Sequence, residues 1–148
     1  MANQVFSIQS VFDYILTRRD GEKLIDLLEG MVFSGETKVD LSLLSSELSV
    51  LSNLIDEDLD LEKLLEEFRN AFWKLEFVNL KLAYTPTRTF LSELKRWFEK
   101  NMNGPVIIDL EVDKSIIGGA VIVARDHWRD LSIAQRYAFL LSPKRHIT

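Results

Sequence analysis

The stretch from Asn103 to Arg136, NGPVIIDLEVDKSIIGGAVIVARDHWRDLSIAQR, decides the fold of this chain. Two runs within it, Val106 to Val112 and Ile116 to Ala124, are dense in Val and Ile, as buried strands usually are. Asp113-Lys114-Ser115 lies between them and has the length of a hairpin connection. The stretch therefore predicts two strands that pair directly with each other.

Glycines and polar residues mark the second half of this stretch. The pair Gly118-Gly119 stands inside an apolar run, which is typical of a bulge, a twist or a close backbone approach. Arg125-Asp126-His127 is polar enough to form a turn after the strand. Asp130 is then suited to cap a last helix, from Ser132 to Leu140.

The hydrophobic period changes near Phe77. Alternating residues from Val78 to Tyr84 predict a strand with one buried face, and Thr85 and Pro86 are suited to the start of the next helix. That helix, Thr87 to Met102, has one broad apolar face: Phe90, Leu91, Leu94, Trp97 and Phe98. A strand, a helix and a returning strand form a crossover unit, so the strands at Val78 and Val106 are predicted to be parallel.

Residues 1–76 have helical spacing throughout. We predict one helix from Ile8 to Ile15, a break at Arg18 to Gly21, and a second helix that ends near Ser34-Gly35. A third predicted helix, capped by Asp40, has an apolar stripe of Leu44, Leu48, Leu51 and Ile55. A fourth predicted helix runs from Leu59 to Trp73. These stripes are either core or partner surface, and we favour core. The fold class is α+β: a helical N-terminal region, 1–76, followed by a small mixed-sheet module with helices, 77–148.

Composition restricts the function. Residues 1–39, 40–76 and 77–148 carry net charges of −2, −7 and +4, and the acidic middle argues against nucleic acid binding there. No apolar run reaches the roughly 20 residues of a membrane span, and the start has no signal-peptide pattern. The absence of cysteine excludes disulfides, thiolate catalysis and cysteine zinc sites, and it suits a cytoplasmic protein.

Catalytic and metal-binding patterns are not found. No glycine-rich loop opens a helix, so no nucleotide site is predicted, and His127 and His146 are the only histidines. Four carboxylates, Asp56, Asp58, Asp60 and Glu67, fit a calcium-loop spacing, but Leu61 occupies the position that needs glycine. We therefore expect no cofactor and no metal, and we expect these carboxylates to complement the dipole of the fourth helix.

Two roles fit Trp128. It lies between Asp126-His127 and Arg129-Asp130, in a predicted loop leaving the sheet. Tryptophan in such a place is either a plug on the sheet edge or an exposed partner contact, since aromatic residues are enriched at interface hot spots. We favour the plug.

The order of residues after Asp113 resembles the C-terminal signature of the delta subunit of F-type ATP synthases, whose mitochondrial relative is the oligomycin-sensitivity-conferring protein. The upstream order of strand and helix matches as well. The signature positions are Ile116, Ile117, Gly118, Gly119, Asp130, Ser132 and Arg136. The resemblance implies a non-catalytic stator component, with signature residues that first of all support the fold of the module. Its implied partners are the alpha/beta catalytic head, for the N-terminal domain, and the b-type helices of the peripheral stalk, for the C-terminal module.

Two departures limit the resemblance. Residues 1–76 are fewer than the family's N-terminal domain usually has, and Leu131 and Tyr137 replace the usual glycine and leucine. The resemblance therefore supports the stalk-binding module more than the mode of head binding. It also implies a peripheral location on the cytoplasmic side of the inner membrane, within a complex and without membrane insertion. Two alternatives remain: an adaptor of a related rotary or secretion-type ATPase, and a small enzyme or ligand-binding domain.

Overall fold

The computed structural model describes residues 8–44, 46, 48–53, 55, 58–116, 119–124 and 127–130. The chain divides into two compact units, Met1–Glu76 and Phe77–Thr148. Helices build the first unit, and a small mixed sheet with a covering helix builds the second. The predicted α+β class is confirmed.

The described residues of the first unit form three α-helices: α1 (Ile8–Phe12), α2 (Arg18–Phe33) and α3 (Leu61–Phe72). The predicted break at residues 18–21 is wrong, because these residues form the first turn of α2. Thr17 caps this turn: its hydroxyl oxygen accepts from the Asp20 amide at 3.2 Å, and the Asp20 carboxylate accepts from the Thr17 amide at 3.1 Å. This reciprocal capping box starts a helix where the Arg-Arg-Asp-Gly composition suggested a turn.

The helices α2 and α3 run antiparallel. Lys38, just after α2, bridges to Asp60 at the start of α3, while Arg18 at the start of α2 lies over the ring of Trp73, 5.5 Å from its centroid, at the end of α3. Aromatic rings continue this packing, since Phe68 stacks on Phe12 at 5.2 Å and on Phe72 at 5.7 Å. The most deeply buried side chains of this unit, from all three helices and the segments between them, are Val11, Ile15, Leu24, Leu28, Leu51, Leu61, Phe68 and Phe72.

The predicted third helix is wrong. Its region contains two short 3₁₀ helices, Leu41–Leu43 and Ser49–Asn53. The serine hydroxyls here donate to nearby backbone carbonyls, from Ser49 to Ser46 at 2.9 Å and from Ser52 to Ser49 at 2.6 Å, and such bonds compete with a regular helix. Leu48, Leu51 and Ile55 are nevertheless buried, so the interpretation as core is confirmed for these three residues, while Leu44 is half-buried.

The second unit is built on a four-stranded sheet. Its elements are β1 (Glu76–Leu82), α4 (Arg88–Met102), β2 (Val106–Val112), β3 (Ala120–Ala124) and β4 (His127–Asp130), and the strand order is β2-β1-β3-β4. The ends of β1 and β2 lie together, because the Asp113 amide donates to the Leu82 carbonyl at 2.8 Å and Lys81 lies 3.4 Å from Glu111. These two strands are therefore parallel, as the crossover predicted, while β3 runs antiparallel to both β1 and β4.

The predicted hairpin between β2 and β3 is wrong. β1 lies between them, and Leu80 of β1 is opposite Ile122 of β3. The physical reason is the length of the connection. β3 begins only at Ala120, so the chain from Asp113 to Gly119 can pass over the end of β1 and span two strand spacings, about 10 Å.

Helix α4 covers one face of this sheet. Thr87, rather than the predicted Thr85, caps it by accepting from the Phe90 amide at 3.2 Å, and Asn103 ends it in the left-handed conformation at φ 56°. Phe98 of α4 packs with Val78 of β1 and Val106 of β2 in one buried cluster. The helix and the sheet therefore form a two-layer unit with a common core.

The last described strand, β4, also differs from the prediction. His127 and Trp128 were expected in a turn and a loop, but they pair with Ala124 and Val123 of β3. A loop interpretation rested on polar composition, and Arg-Asp-His-Trp-Arg-Asp does not alternate as a half-buried strand does. Strand pairing with β3 outweighs this weak local preference.

Candidate partner-binding surface

Helix α4 carries an uncovered aromatic stripe. Leu91 and Phe98 point into the core of the unit, whereas the side chains of Phe90 and Trp97 are 40% and 56% exposed. Leu94, between them, is half-buried and packs against the core cluster. The sequence predicted all of these residues on one inward face, and the structure divides that face. One part packs on the sheet, and the other faces outward.

The sheet side of α4 is held by charge as well as by apolar packing. The Lys95 ammonium, on a side chain that is only 5% exposed, pairs with the Glu99 carboxylate one turn later. Glu99 also accepts from the Val106 amide at 3.3 Å, at the first residue of β2. This chain of contacts fixes the helix to the edge strand, and therefore fixes the direction of the exposed stripe on its other side.

The turn after β2 contains the first of the predicted signature residues. The Asp113 carboxylate accepts from the Ser115 amide at 2.9 Å and from its hydroxyl at 2.6 Å. These bonds hold the pKa of Asp113 below its usual value, first through the hydroxyl and then through the amide. The Ile116 amide closes the turn by donating to the Asp113 carbonyl at 3.2 Å.

Gly119 ends the connection to β3 in a conformation that favours glycine. Its φ of 82° lies in the left-handed region, where a β-branched residue is strained. The sequence predicted an unusual backbone conformation at the glycine pair, and Gly119 has a positive φ. It precedes the strand rather than interrupting it, because β3 starts at Ala120.

Of the remaining predicted site residues, the structure describes Trp128 and Asp130. Asp130 and Trp128 lie in β4, opposite Val121 and Val123 respectively. Ile117, Gly118, Ser132 and Arg136 fall outside the described residues, as does the predicted helix from Ser132 to Leu140. The partner-contact prediction for Trp128 stays a prediction, now placed on a strand.

The other face of the sheet forms a shallow groove of about 200 Å³. Its lining is Asn79, Leu80, Lys81, Asp109, Glu111, Val121 and Val123. Drug-sized ligand pockets usually occupy roughly 300–1,000 Å³, so this groove is small for such a ligand. Its cation, Lys81, already lies beside Glu111 and 4.0 Å from Asp113. The groove is better explained as the open face of a sheet than as a substrate pocket.

Two carboxylates of the calcium-loop spacing, Asp58 and Asp60, have structural partners. Asp60 caps α3 by accepting from the Lys63 amide at 3.0 Å. Asp58 lies 2.8 Å from the Lys38 ammonium, which lowers the pKa of that carboxyl through the hydrogen bond and the charge. Within the residues that the structure describes, no group of three or more metal-binding side chains is found. No described helix is both long enough and apolar enough to cross a membrane.

Comparison with known proteins decides the family. The family model of the ATP synthase delta (OSCP) subunit matches residues 61–140, which are 80 of the 148 residues and more than half of the chain. The chain belongs to the ATP synthase delta (OSCP) subunit family. The match begins at the first residue of α3 and includes the whole described sheet of the second unit.

Other comparisons add little to this family assignment. No curated protein sequence matches the chain. A chain in the cryo-electron microscopy structure of the Polytomella F-ATP synthase, in primary rotary state 3, is 23% identical. The likeness covers 45% of this chain and 86% of that chain, with a TM-score of 0.38. The delta (OSCP) assignment therefore depends on the match over residues 61–140, and it identifies a structural subunit of the ATP synthase.

In this delta (OSCP) subunit, the structure shows an exposed part of α4 that the sequence alone did not reveal. The exposed position of Phe90 and Trp97 was missed because helical spacing cannot separate a packed from an open part of one broad apolar face. The delta (OSCP) module thus presents a fixed aromatic stripe on α4 as its candidate partner surface.

Proposed function

We propose that this chain is a non-catalytic stator component of an F-type ATP synthase, which links the catalytic head to the peripheral stalk. The observation that carries the proposal is the family match over residues 61–140. In this role the subunit resists the torque of rotation, so that proton flow remains coupled to ATP synthesis. Such a role requires rigid contacts and no chemistry by side chains.

We assign the stalk to the C-terminal unit and the head to the N-terminal unit. Residues 77–148 bind the b-type helices of the peripheral stalk, and residues 1–76 contact the alpha/beta head. The first assignment is supported by the match, which contains most of the C-terminal unit, and by the exposed aromatic stripe of α4. The second is carried over from the family resemblance, in which the N-terminal domain contacts the alpha/beta head.

The signature residues serve the fold of the C-terminal unit in this proposal. Ile116 and Gly119 shape the connection that crosses over β1, and Asp130 ends β4. Ile117, Gly118, Ser132 and Arg136 are assigned the same supporting duty by their place in the signature. None of these residues is proposed as a catalyst or as a ligand of a cofactor.

The proposed location is the cytoplasmic side of the inner membrane, where the subunit is peripheral and held by its complex. Residues 1–76 carry a net charge of −9, which opposes contact with nucleic acid and with anionic lipid. The family match favours an F-type ATP synthase over a secretion-type or other rotary ATPase.

Copurification from the source organism tests the proposed function. The full chain, tagged at its N-terminus, is recovered under mild conditions, and the partners are identified by mass spectrometry. We expect the alpha, beta and b-type subunits together. Because apolar contacts dominate the stalk surface, the b-type subunit should remain bound between low and physiological salt. Recovery of a secretion-type ATPase in their place, or of no ATPase subunit, would contradict the proposal.

A further inference from the structure

The open face of the sheet, opposite α4, is acidic along β2. Asp109 and Glu111 of β2 line this face, and Asp113 follows them. Lys81 of β1 lies 3.4 Å from Glu111 and 4.0 Å from Asp113, so along β1 and β2 one cation faces three carboxylates. The Glu111 side chain is still 66% exposed. This edge is therefore suited to accept further positive charge.

The last described strand ends in line with this acidic edge. β4 ends at Asp130, which is opposite Val121 of β3, and Val121 is in turn opposite Lys81 of β1. Since Lys81 lies beside Glu111, a single row across the sheet connects the end of β4 with the acidic edge. This row crosses three strand spacings, about 14 Å.

The segment after β4, residues 131–148, lies outside the described residues and has a composition that suits this row. It contains no carboxylate side chain and three cations, Arg136, Lys144 and Arg145. Its first part, residues 131–141, is mostly apolar, and the basic pair follows. Even at the short rise of a helix, this apolar part spans about 16 Å, which is enough to reach the far edge of the sheet.

The order of apolar and basic residues in the segment matches the order of the strands. Val121 and Val123 of β3, the strand next to β4, are half-buried on the open face, and apolar residues over them would remove more of their surface from water. The acidic strand β2 comes last in the sheet. A segment that starts at β4 and crosses the face therefore places its apolar part over the valines and Lys144-Arg145 at the carboxylates of β2.

We propose that residues 131–148 fold back across the open face of the sheet as a strap within the same chain, and that Lys144 and Arg145 pair with Asp109 and Glu111. The strap gives the small groove of this face an intramolecular occupant, so the groove is closed to a ligand. It also leaves the outer side of α4 as the exposed side of this two-layer unit. The inference does not depend on the stator role, because it concerns contacts within one chain.

Engineered cysteines test the strap in the full chain, which has no cysteine of its own. On mild oxidation of dilute protein, Glu111→Cys with Arg145→Cys should form an intramolecular disulfide, measured by thiol counting and mass spectrometry. Lys100→Cys with Arg145→Cys is the matched control, since Lys100 is exposed on the helix that covers the opposite face. The first pair should close about 10-fold faster or more, because docking raises the effective concentration of the two thiols.

Tryptic cleavage after Lys144 and Arg145 is a second measurement, and it needs no cysteine. Asp109→Lys with Glu111→Lys should release the basic pair and speed this cleavage about 5-fold or more, since proteases attack segments that are not held. Glu111→Lys alone, at an exposed position, should act in the same direction and covers the case in which the double variant does not fold. The matched control, with the same change in net charge as the double variant, is Glu66→Lys with Glu67→Lys on the exposed side of α3.

Each measurement can overturn a stated part of the proposal. Equal rates of closure for the two cysteine pairs would overturn the strap, and unchanged cleavage in the β2 charge variants would overturn the ion pairs. A disulfide between two chains would place the segment of a second copy on this face, and it would also overturn the proposal. The copurification experiment is independent of all three results, so a failure of the strap and a failure of the proposed function are distinguishable.

Discussion

The two units fix their helices by different means. In residues 1–76, α2 approaches α3 so closely at Gly21 that an added Cβ would lie under 3.0 Å from three atoms of the Phe72 ring. In residues 77–148, α4 contacts the sheet through large side chains such as Leu91 and Phe98, and through the Lys95–Glu99 pair. The first unit therefore depends on the absence of a side chain at one point. The second depends on large side chains and an ion pair between helix and sheet, and its connection before β3 contains Gly119 at a φ of 82°.

The largest effect should come from Gly21→Val in the first unit. Phe72 is fully buried and stacked on Phe68, so its ring cannot move aside, and we expect a loss of about 3 kcal/mol or more in the free energy of unfolding. Gly30→Ala in the same helix is the control, because a Cβ there meets nothing within 4 Å. It should stabilise α2 by about 0.5–1 kcal/mol. Chemical denaturation measures both, and equal effects would show that close approach at Gly21 is unimportant.

A smaller effect is expected from Gly119→Val in the second unit. Its φ of 82° is strained for a β-branched residue, at a cost of about 1–3 kcal/mol. Gly119→Asn should lose less, because asparagine tolerates the left-handed region. Gly104→Ala is the matched control, since nothing lies within 4 Å of its built Cβ. Thermal unfolding orders the three variants, and an unchanged melting temperature for Gly119→Val would refute the backbone argument.

The smallest effect concerns an aspartate–serine turn that occurs in both units. Asp40 accepts from the Ser42 amide at 3.0 Å and its hydroxyl at 2.5 Å, as Asp113 does from Ser115, and each set of bonds lowers the pKa of the aspartate. Ser42→Ala and Ser115→Ala should each raise that pKa toward the ordinary value of about 3.9. Only Asp113 is also lowered by Lys81, so added salt should raise its pKa and leave that of Asp40 nearly unchanged.

Carboxyl NMR titration of the wild type and both variants reads these pKa values. These pKa values also determine how stability depends on pH, because a carboxyl whose pKa is lowered in the folded state stabilises the fold at pH values above its ordinary pKa. This contribution disappears as the pH falls through the lowered value. Stability from both turns should therefore be constant near neutral pH and lost only in acid. An identical salt response of Asp40 and Asp113 would contradict the difference between the two turns.

Local sequence signals were sufficient to predict the helices and strands that have a strong hydrophobic period and clear ends. α3, α4 and β2 follow from their apolar spacing, and α4 ends at Met102 as predicted. The capping box at Thr17 was readable as Thr-x-x-Asp but was outweighed by the turn-like composition after it. The serines between Asp40 and Asn53 could likewise have warned against a regular helix.

The order of the strands and the exposure of side chains on α4 could not be predicted from local sequence signals. The insertion of β1 between β2 and β3 depends on contacts far apart in the sequence, and the apolar runs of both strands fit a hairpin equally well. The exposed part of α4 depends on how much of the helix the sheet can cover. The family resemblance predicted the stator role correctly at the level of the family, whereas the stripe on α4 became visible only in the structure.

The place of β1 in the sheet has a mechanical consequence. The chain leaves α3 at Phe72 and enters β1 at Glu76, so tension applied along the chain before Glu76 acts directly on this strand. β1 is bonded on both sides, to β2 and to β3. Extracting it would require two ladders of hydrogen bonds to break, whereas an edge strand can be peeled from a single neighbour. A tensile load on the chain therefore enters the sheet at one of its two central strands, not at an edge.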